Sequence, residues 1–208
     1  MTFIKICGIT NPADAHASIE AGANALGFNF YRRSPRYIEP EKAREIIERL
    51  PATVLCVGVF VNEAEPREVA RVADVAGVGA VQLHGDESPD YCRALQERYV
   101  IKALRAGADF EPVRAMEYET QAIMLDAFSA TTYGGTGRTV DWSLARRVRE
   151  LTSKLFLAGG LSPENVAAAI AAVTPYAVDA CSSLESAPGR KDEERVRAFI
   201  SAVRGVEC

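Results

Sequence analysis

The sequence predicts an α/β chain folded as a single (β/α)8 barrel, the TIM-barrel architecture. Three observations carry this. Eight short, continuously apolar runs recur along the chain. Parallel strands are buried on both faces, so they lose the polar–apolar alternation of half-buried strands. Between the runs stand helical stretches with one apolar stripe. Helix-start signals recur at the junctions. Eight strands, each followed by a helix, close into a barrel. The alternative, an open doubly wound sheet, normally uses fewer strands. The 208 residues show no linker, low-complexity stretch or composition shift, so one domain is expected over 1–208.

The strands are expected at Phe3–Ile6, Ala25–Phe30, Val54–Val61, Ala80–Leu83, Val100–Leu104, Ala122–Leu125, Leu155–Ala158 and Tyr176–Val178. Asn11-Pro12, Ser88-Pro89 and Ser162-Pro163 each place an N-cap residue before proline, which suits the first helical position. Asn62 with Glu65 reads as a capping box with Asn as the cap, and Asp141 and Asp192 as further caps. Ala43, Ile46, Ile47 and Leu50 fall at i, i+3, i+4, i+7. Val69, Val72, Ala73 and Ala76 repeat that spacing, as do Val196, Phe199, Ile200 and Val203. Each set is a stripe that lies on a sheet.

Composition narrows the function. The chain is 48% apolar and 25% charged, with a net charge of −4. No basic block favours nucleic acid. No signal peptide is visible, and no apolar run approaches a membrane span. Cys7, Cys56, Cys92, Cys181 and Cys208 are scattered and odd in number, which fits reduced thiols in the cytoplasm. With only His16 and His84, no zinc spacing can be assembled. Neither a metal nor a cofactor is expected.

In a barrel the strand-to-helix loops share one face, where ligands bind. Strand 1 delivers Cys7 there, either as a reactive thiol or as a buried structural cysteine. A thiol serves as a base where a nearby positive charge or dipole stabilises its thiolate. Strand 6 delivers Asp126, an acid candidate or else a cap or salt-bridge partner. An isomerase that moves a hydrogen between adjacent carbons needs such a base and acid. Lys5 is near Cys7 in sequence, but its direction is open. Arg36 suits a substrate carboxylate, with Arg32 and Arg33 beside it. His84 either orients a ligand or satisfies local backbone. Gly159-Gly160 and the Asp179-to-Ser183 loop, with Ser182-Ser183 opening a short helix, sit where barrels hold phosphate. Thr132–Thr139 fails the phosphate-loop spacing, because Thr132 stands where glycine is needed; it reads as a lid over the mouth or a plain surface loop.

Taken together these segments resemble the phosphoribosylanthranilate isomerase family. The matching segments are Lys5-Ile6-Cys7-Gly8-Ile9-Thr10, Ser34-Pro35-Arg36-Tyr37-Ile38, Val57-Gly58-Val59-Phe60-Val61-Asn62, Val81-Gln82-Leu83-His84-Gly85, Leu125-Asp126, Tyr133-Gly134-Gly135-Thr136-Gly137 through Asp141-Trp142, Ala158-Gly159-Gly160-Leu161 with Pro163-Glu164-Asn165-Val166, and Val178-Asp179 through Glu185, then Pro188-Gly189 and Lys191-Asp192. They run in the same order across essentially the whole chain. The resemblance implies a cofactor-free Amadori rearrangement of N-(5-phosphoribosyl)anthranilate to 1-(2-carboxyphenylamino)-1-deoxyribulose 5-phosphate, in tryptophan biosynthesis. It implies Cys7 as general base at C2 of the sugar and Asp126 as general acid at the ring oxygen. Arg36 would hold the anthranilate carboxylate, and Gly159, Gly160, Asp179, Ser182 and Ser183 would form the phosphate site. A monomer or homodimer is expected. The loop Asp179-Ala180-Cys181-Ser182-Ser183-Leu184-Glu185 departs from the family's usual Asp-Val-Ser-Ser-Gly-Val-Glu. Two other readings compete. The sugar-phosphate isomerase of histidine biosynthesis carries aspartate in place of Cys7 and has two similar halves. A catalytically dead barrel would need neither Cys7 nor Asp126.

Overall fold

Eight parallel strands close into a barrel in sequence order in the computed structural model, which describes residues 1–107, 109–127 and 141–206. The strands are β1 (Phe3–Cys7), β2 (Ala25–Asn29), β3 (Leu55–Phe60), β4 (Ala80–Leu83), β5 (Tyr99–Ala106), β6 (Ala122–Ala127), β7 (Leu155–Leu157) and β8 (Ala177–Ala180). Each expected run is therefore a strand. The helices are α1 (Pro12–Ala21), α2 (Pro40–Ile47), α3 (Pro66–Ala76), α4 (Pro89–Arg93), α5 (Trp142–Leu151), α6 (Val166–Val173) and α7 (Glu193–Gly205). A hairpin, β9 (Glu185–Ala187) with β10 (Arg190–Lys191), follows β8. The expected loop Thr132–Thr139 lies outside the described residues.

Strand alternation sorts the core into two clusters. Ile4, Ile6, Leu26, Phe28, Val81 and Leu83 pack outward with the helix stripes, including Val196, Phe199, Ile200 and Val203. Ala25, Val57, Ile101, Met124 and Phe156 fill the barrel interior. The inward positions nearer the carboxyl ends of the strands are polar: Lys5, Gln82, His84, Asp126 and Asp179 are all buried. That polar layer, set on an apolar plug, is where the site forms.

Most helix starts follow the expected signals. Asn11 accepts the Asp14 N–H, Ser88 that of Tyr91, Asp141 that of Ser143 and Asp192 that of Arg195. Three expectations are corrected. Asn62 is not the cap of α3; Glu65 precedes Pro66 there. Asn62 instead adopts a left-handed backbone (φ 53°), and its Oδ1 accepts the Asp86 N–H across the barrel mouth. Ser162 does not begin α6. Asn165 precedes that helix, and its side chain ties the turn to Ser162 N and Gly160 O. Among the described residues no α-helix lies between β5 and β6, only a 3-10 segment at Pro112–Glu117. It packs beside α5, and its Ala115 is buried in the core layer between barrel and helices.

Candidate active site

Lys5 and Cys7 are two residues apart on β1 and so share its inward face. Lys5 is buried, and its Nζ donates to Asp179 Oδ1 at 2.7 Å across the β1–β8 seam, where the two residues are in register. Burial favours the neutral amine, but the opposing charges of Asp179 and Cys7 hold the Lys5 ammonium above the usual lysine range. Burial pushes the Asp179 carboxyl up to about 7; Lys5 opposes this without offsetting it.

Cys7 ends β1 and opens onto a cleft at the barrel mouth. Its neighbour across β2 is Gly27, where a side-chain Cβ would lie 2.7 Å from Cys7 Sγ and 3.1 Å from Lys5 Nζ. Only glycine leaves room for both groups. The Cys7 thiol is held well below its ordinary range. A hydrogen bond with Cys181 leads; burial opposes it, and the Lys5 and Lys191 ammonium groups add to it. Cys181 moves the opposite way, well above the ordinary thiol range, chiefly because it shares that hydrogen bond. Lys191, brought in by β10, donates to Glu185 Oε1 at 3.0 Å and to Cys181 O at 3.2 Å.

Another part of the cleft carries Gln82, His84 and Asp126. Gln82 Nε2 lies 2.6 Å from His84 Nδ1, and His84 Nε2 lies 3.0 Å from Asp126 Oδ2. With the amide nitrogen donating to Nδ1, the ring proton sits on Nε2 and is donated to Asp126. Asp126 Oδ1 also accepts the Ala127 N–H at 2.8 Å. Asp126 was expected just beyond its strand. Instead β6 continues through Ala127, which fixes the carboxyl inside the barrel mouth.

Arg36 and the phosphate-type loops form the rim. Arg36 donates from Nε and Nη2 to Glu185 in a two-pronged ion pair, the shortest contact being 2.7 Å. Its Nη1 has no protein partner among the described residues. Gly159 and Gly160 both take positive φ, 83° and 64°, a path that glycine follows without steric strain. The expected short helix is a 3-10 turn at Ser182–Leu184. The Ser183 hydroxyl donates to Leu161 O, which pins this turn to the Gly159-Gly160 loop. Arg195 fastens the turn from behind, donating to Ser183 O at 2.6 Å.

Cys7, Arg36, His84, Asp126, Gly159, Gly160, Asp179, Ser182 and Ser183, all singled out from the sequence, line this one cleft. Lys5 and Gln82 were not assigned roles, although the two-residue strand period already placed them beside Cys7 and His84. Lys191 and Glu185 lie in the segments that carry the resemblance but have no expected role; a hairpin after β8 folds them back to the cleft. Among the described residues, no group of His, Cys, Asp and Glu could hold a metal ion. Among the same residues, no helix is long and apolar enough to cross a membrane.

Residues 4–202 match the family model for N-(5′-phosphoribosyl)anthranilate isomerase. The chain is 52% identical over 202 residues to the N-(5′-phosphoribosyl)anthranilate isomerase of Trichlorobacter lovleyi, covering 96% of this chain and 97% of that one. It superposes on the crystal structure of phosphoribosyl anthranilate isomerase from Thermotoga maritima with a TM-score of 0.92 and 46% identity, over 99% and 100% of the two chains. A further solved structure of such an isomerase, in complex with reduced 1-(o-carboxyphenylamino)-1-deoxyribulose 5-phosphate, matches with a TM-score of 0.88 and 45% identity, over 99% and 100% of the two chains.

Proposed function

Because the chain belongs to the N-(5′-phosphoribosyl)anthranilate isomerase family, we propose that it carries out that isomerisation in tryptophan biosynthesis with Cys7 as base and Asp126 as acid. The observation that carries this reading is the pairing of a thiol held toward its thiolate with a buried carboxyl in one cleft. Asp126 gives a proton to the furanose oxygen as the ring opens, leaving an iminium at C1. Cys7 then removes the C2 proton, and the resulting enolamine becomes the 2-ketone product. A positioned acid and a positioned base each contribute about 10²–10⁴-fold.

The surrounding groups fit these roles. Lys5 and Lys191 favour the thiolate that takes the proton. Glu185 fixes the Arg36 guanidinium and leaves Nη1 for the anthranilate carboxylate. The Gly159-Gly160 and Ser182-Ser183 backbones hold the phosphate, as helix-like turns with clustered N–H groups do. His84 holds Asp126 in place. Gln82 Oε1 is buried without a partner among the described residues. Turned over, the Gln82 amide would accept from His84 Nδ1–H and free Nε2 to receive the proton of neutral Asp126. The Gln82–His84 pair thus suits both protonation states that an acid must visit.

The purified chain is tested by following loss of anthranilate fluorescence with N-(5-phosphoribosyl)anthranilate, with the product identified by mass and proton spectrum. Turnover to the ribulose phosphate supports the reading. Binding without turnover would make this barrel a ligand-binding protein instead.

A further inference from the structure

We propose that Cys7 and Cys181 form a two-thiol oxidation site that reacts with a hydroperoxide and closes to an intramolecular disulfide, switching the enzyme off until a dithiol reopens it. The loss of activity rests on Cys7 being the base; the disulfide itself does not.

Geometry brings the two thiols together. Ile6 and Ala180 are the last register partners of β1 and β8, and Cys7 and Cys181 each follow them directly in the chain. Neighbouring strands run about 4.8 Å apart, inside the roughly 4.4–6.8 Å Cα separation that a disulfide spans. Both residues line the same cleft, which admits a molecule the size of peroxide. Each sulfur also lies close over the neighbouring backbone. A Cβ on Gly8 would come within 2.9 Å of Cys181 Sγ, and one on Gly27 within 2.7 Å of Cys7 Sγ. Two buried ammonium groups flank the pair: Lys5 on β1 and Lys191, whose Nζ lies 3.9 Å from Cys181 Sγ. Reactive cysteines occupy such electropositive positions, and sensors place a second cysteine beside the first.

The other described cysteines differ. Cys56 and Cys92 sit in the apolar layer between barrel and helices, and burial pushes both thiols up to about 11. They are spectators.

The chemistry balances in two steps. The Cys7 thiolate attacks one oxygen of hydrogen peroxide, the O–O bond breaks, and hydroxide leaves, taking up from solvent the proton that Cys7 released on ionising and so becoming water. Cys7 is now a sulfenic acid, with its negative charge gone. That charge was among the causes holding the proton on Cys181, while Lys191 continues to favour its loss. The Cys181 thiolate then attacks the Cys7 sulfur, the S–S bond forms, the S–O bond breaks, and hydroxide leaves, taking the proton that Cys181 gave up to become a second water. Two thiols are oxidised by two electrons and one peroxide is reduced. The oxidised Cys7 has no lone thiolate with which to take the C2 proton.

The test is a peroxide titration of the intact chain, read by mass, by peptide mapping and by turnover. The expected product is lighter by two hydrogens, with Cys7 joined to Cys181 in the digest. Turnover should fall in step with that species, and dithiothreitol should restore both. In Cys181→Ser the linked species should be missing, and excess peroxide should carry Cys7 on to the sulfinic acid, which dithiothreitol does not reverse. The proposal is overturned if the wild-type chain only gains oxygen, if the link joins other cysteines or two chains, or if Cys181→Ser recovers as the wild type does. Mass and linkage do not depend on turnover, so a failure of the isomerase reading leaves them standing as a separate result.

Discussion

Replacing Lys102 with methionine removes the charge from a buried ion pair outside the catalytic cleft. Lys102, on β5, is 1% exposed. Its Nζ donates to Gly85 O at 2.7 Å, Glu87 Oε2 at 2.8 Å and Leu83 O at 3.2 Å. Glu87 in turn accepts the backbone N–H groups of Asn62 at 2.8 Å and Gly85 at 3.0 Å. This cluster staples the loop after β4 to β3 and β5, one residue beyond His84. Methionine keeps the volume but leaves a buried carboxylate without a counter-charge. Breaking a buried pair from one side costs about 3–5 kcal/mol. Glu87 keeps its N–H donors, which places the loss at the low end, about 3 kcal/mol. For a chain of this length that lowers Tm by roughly 6–12 °C. Urea unfolding followed by circular dichroism gives the free energy directly. Adding Glu87→Gln should recover part of the loss, because the stranded charge is then removed. A loss below about 1 kcal/mol, or a double variant no better than the sum of the singles, would show that the pair is not the staple described.

Two further outcomes follow from the cleft. Arg36→Met should raise KM for the phosphoribosyl anthranilate about ten- to a hundredfold, the worth of one charge-assisted hydrogen bond, while Glu185 keeps Lys191 as its partner; an unchanged KM would move carboxylate recognition to Arg32 or Arg33. Lys191→Met removes one cation that favours the Cys7 thiolate. The thiol pKa should rise, so the pH at which iodoacetamide alkylation of Cys7 reaches half its plateau should move upward; no upward movement would leave Lys191 a structural partner of Glu185 alone.

The strands were legible because burial on both faces erases alternation, and that signal is local. Caps were legible where side chain and proline act within one turn, as at Asn11 and Ser88. The signal misled at Asn62, whose side chain is claimed by Asp86 on another strand's loop, a partner that no local spacing reveals. The candidate site was legible as residue types at strand ends. Its electrostatics were not. Asp179 was read as part of a phosphate loop, yet it holds Lys5, its register partner across the barrel's closing seam. Arg36 is expected to hold a substrate carboxylate, but nothing near it in sequence shows that a glutamate 149 positions later fixes two of its nitrogens. Such pairs depend on closure of the barrel, which brings the first strand beside the last.

The most direct test of the central claim is the turnover number of Cys7→Ser, measured beside its affinity for a reduced product analogue. The hydroxyl is close in size to the thiol but a far weaker acid, so it supplies almost no anion for the C2 proton. The account predicts a fall in kcat of about 10²–10⁴-fold with analogue affinity near that of the unaltered chain. Turnover within a few-fold of the unaltered chain would contradict it, and the base would then have to be another group in the cleft.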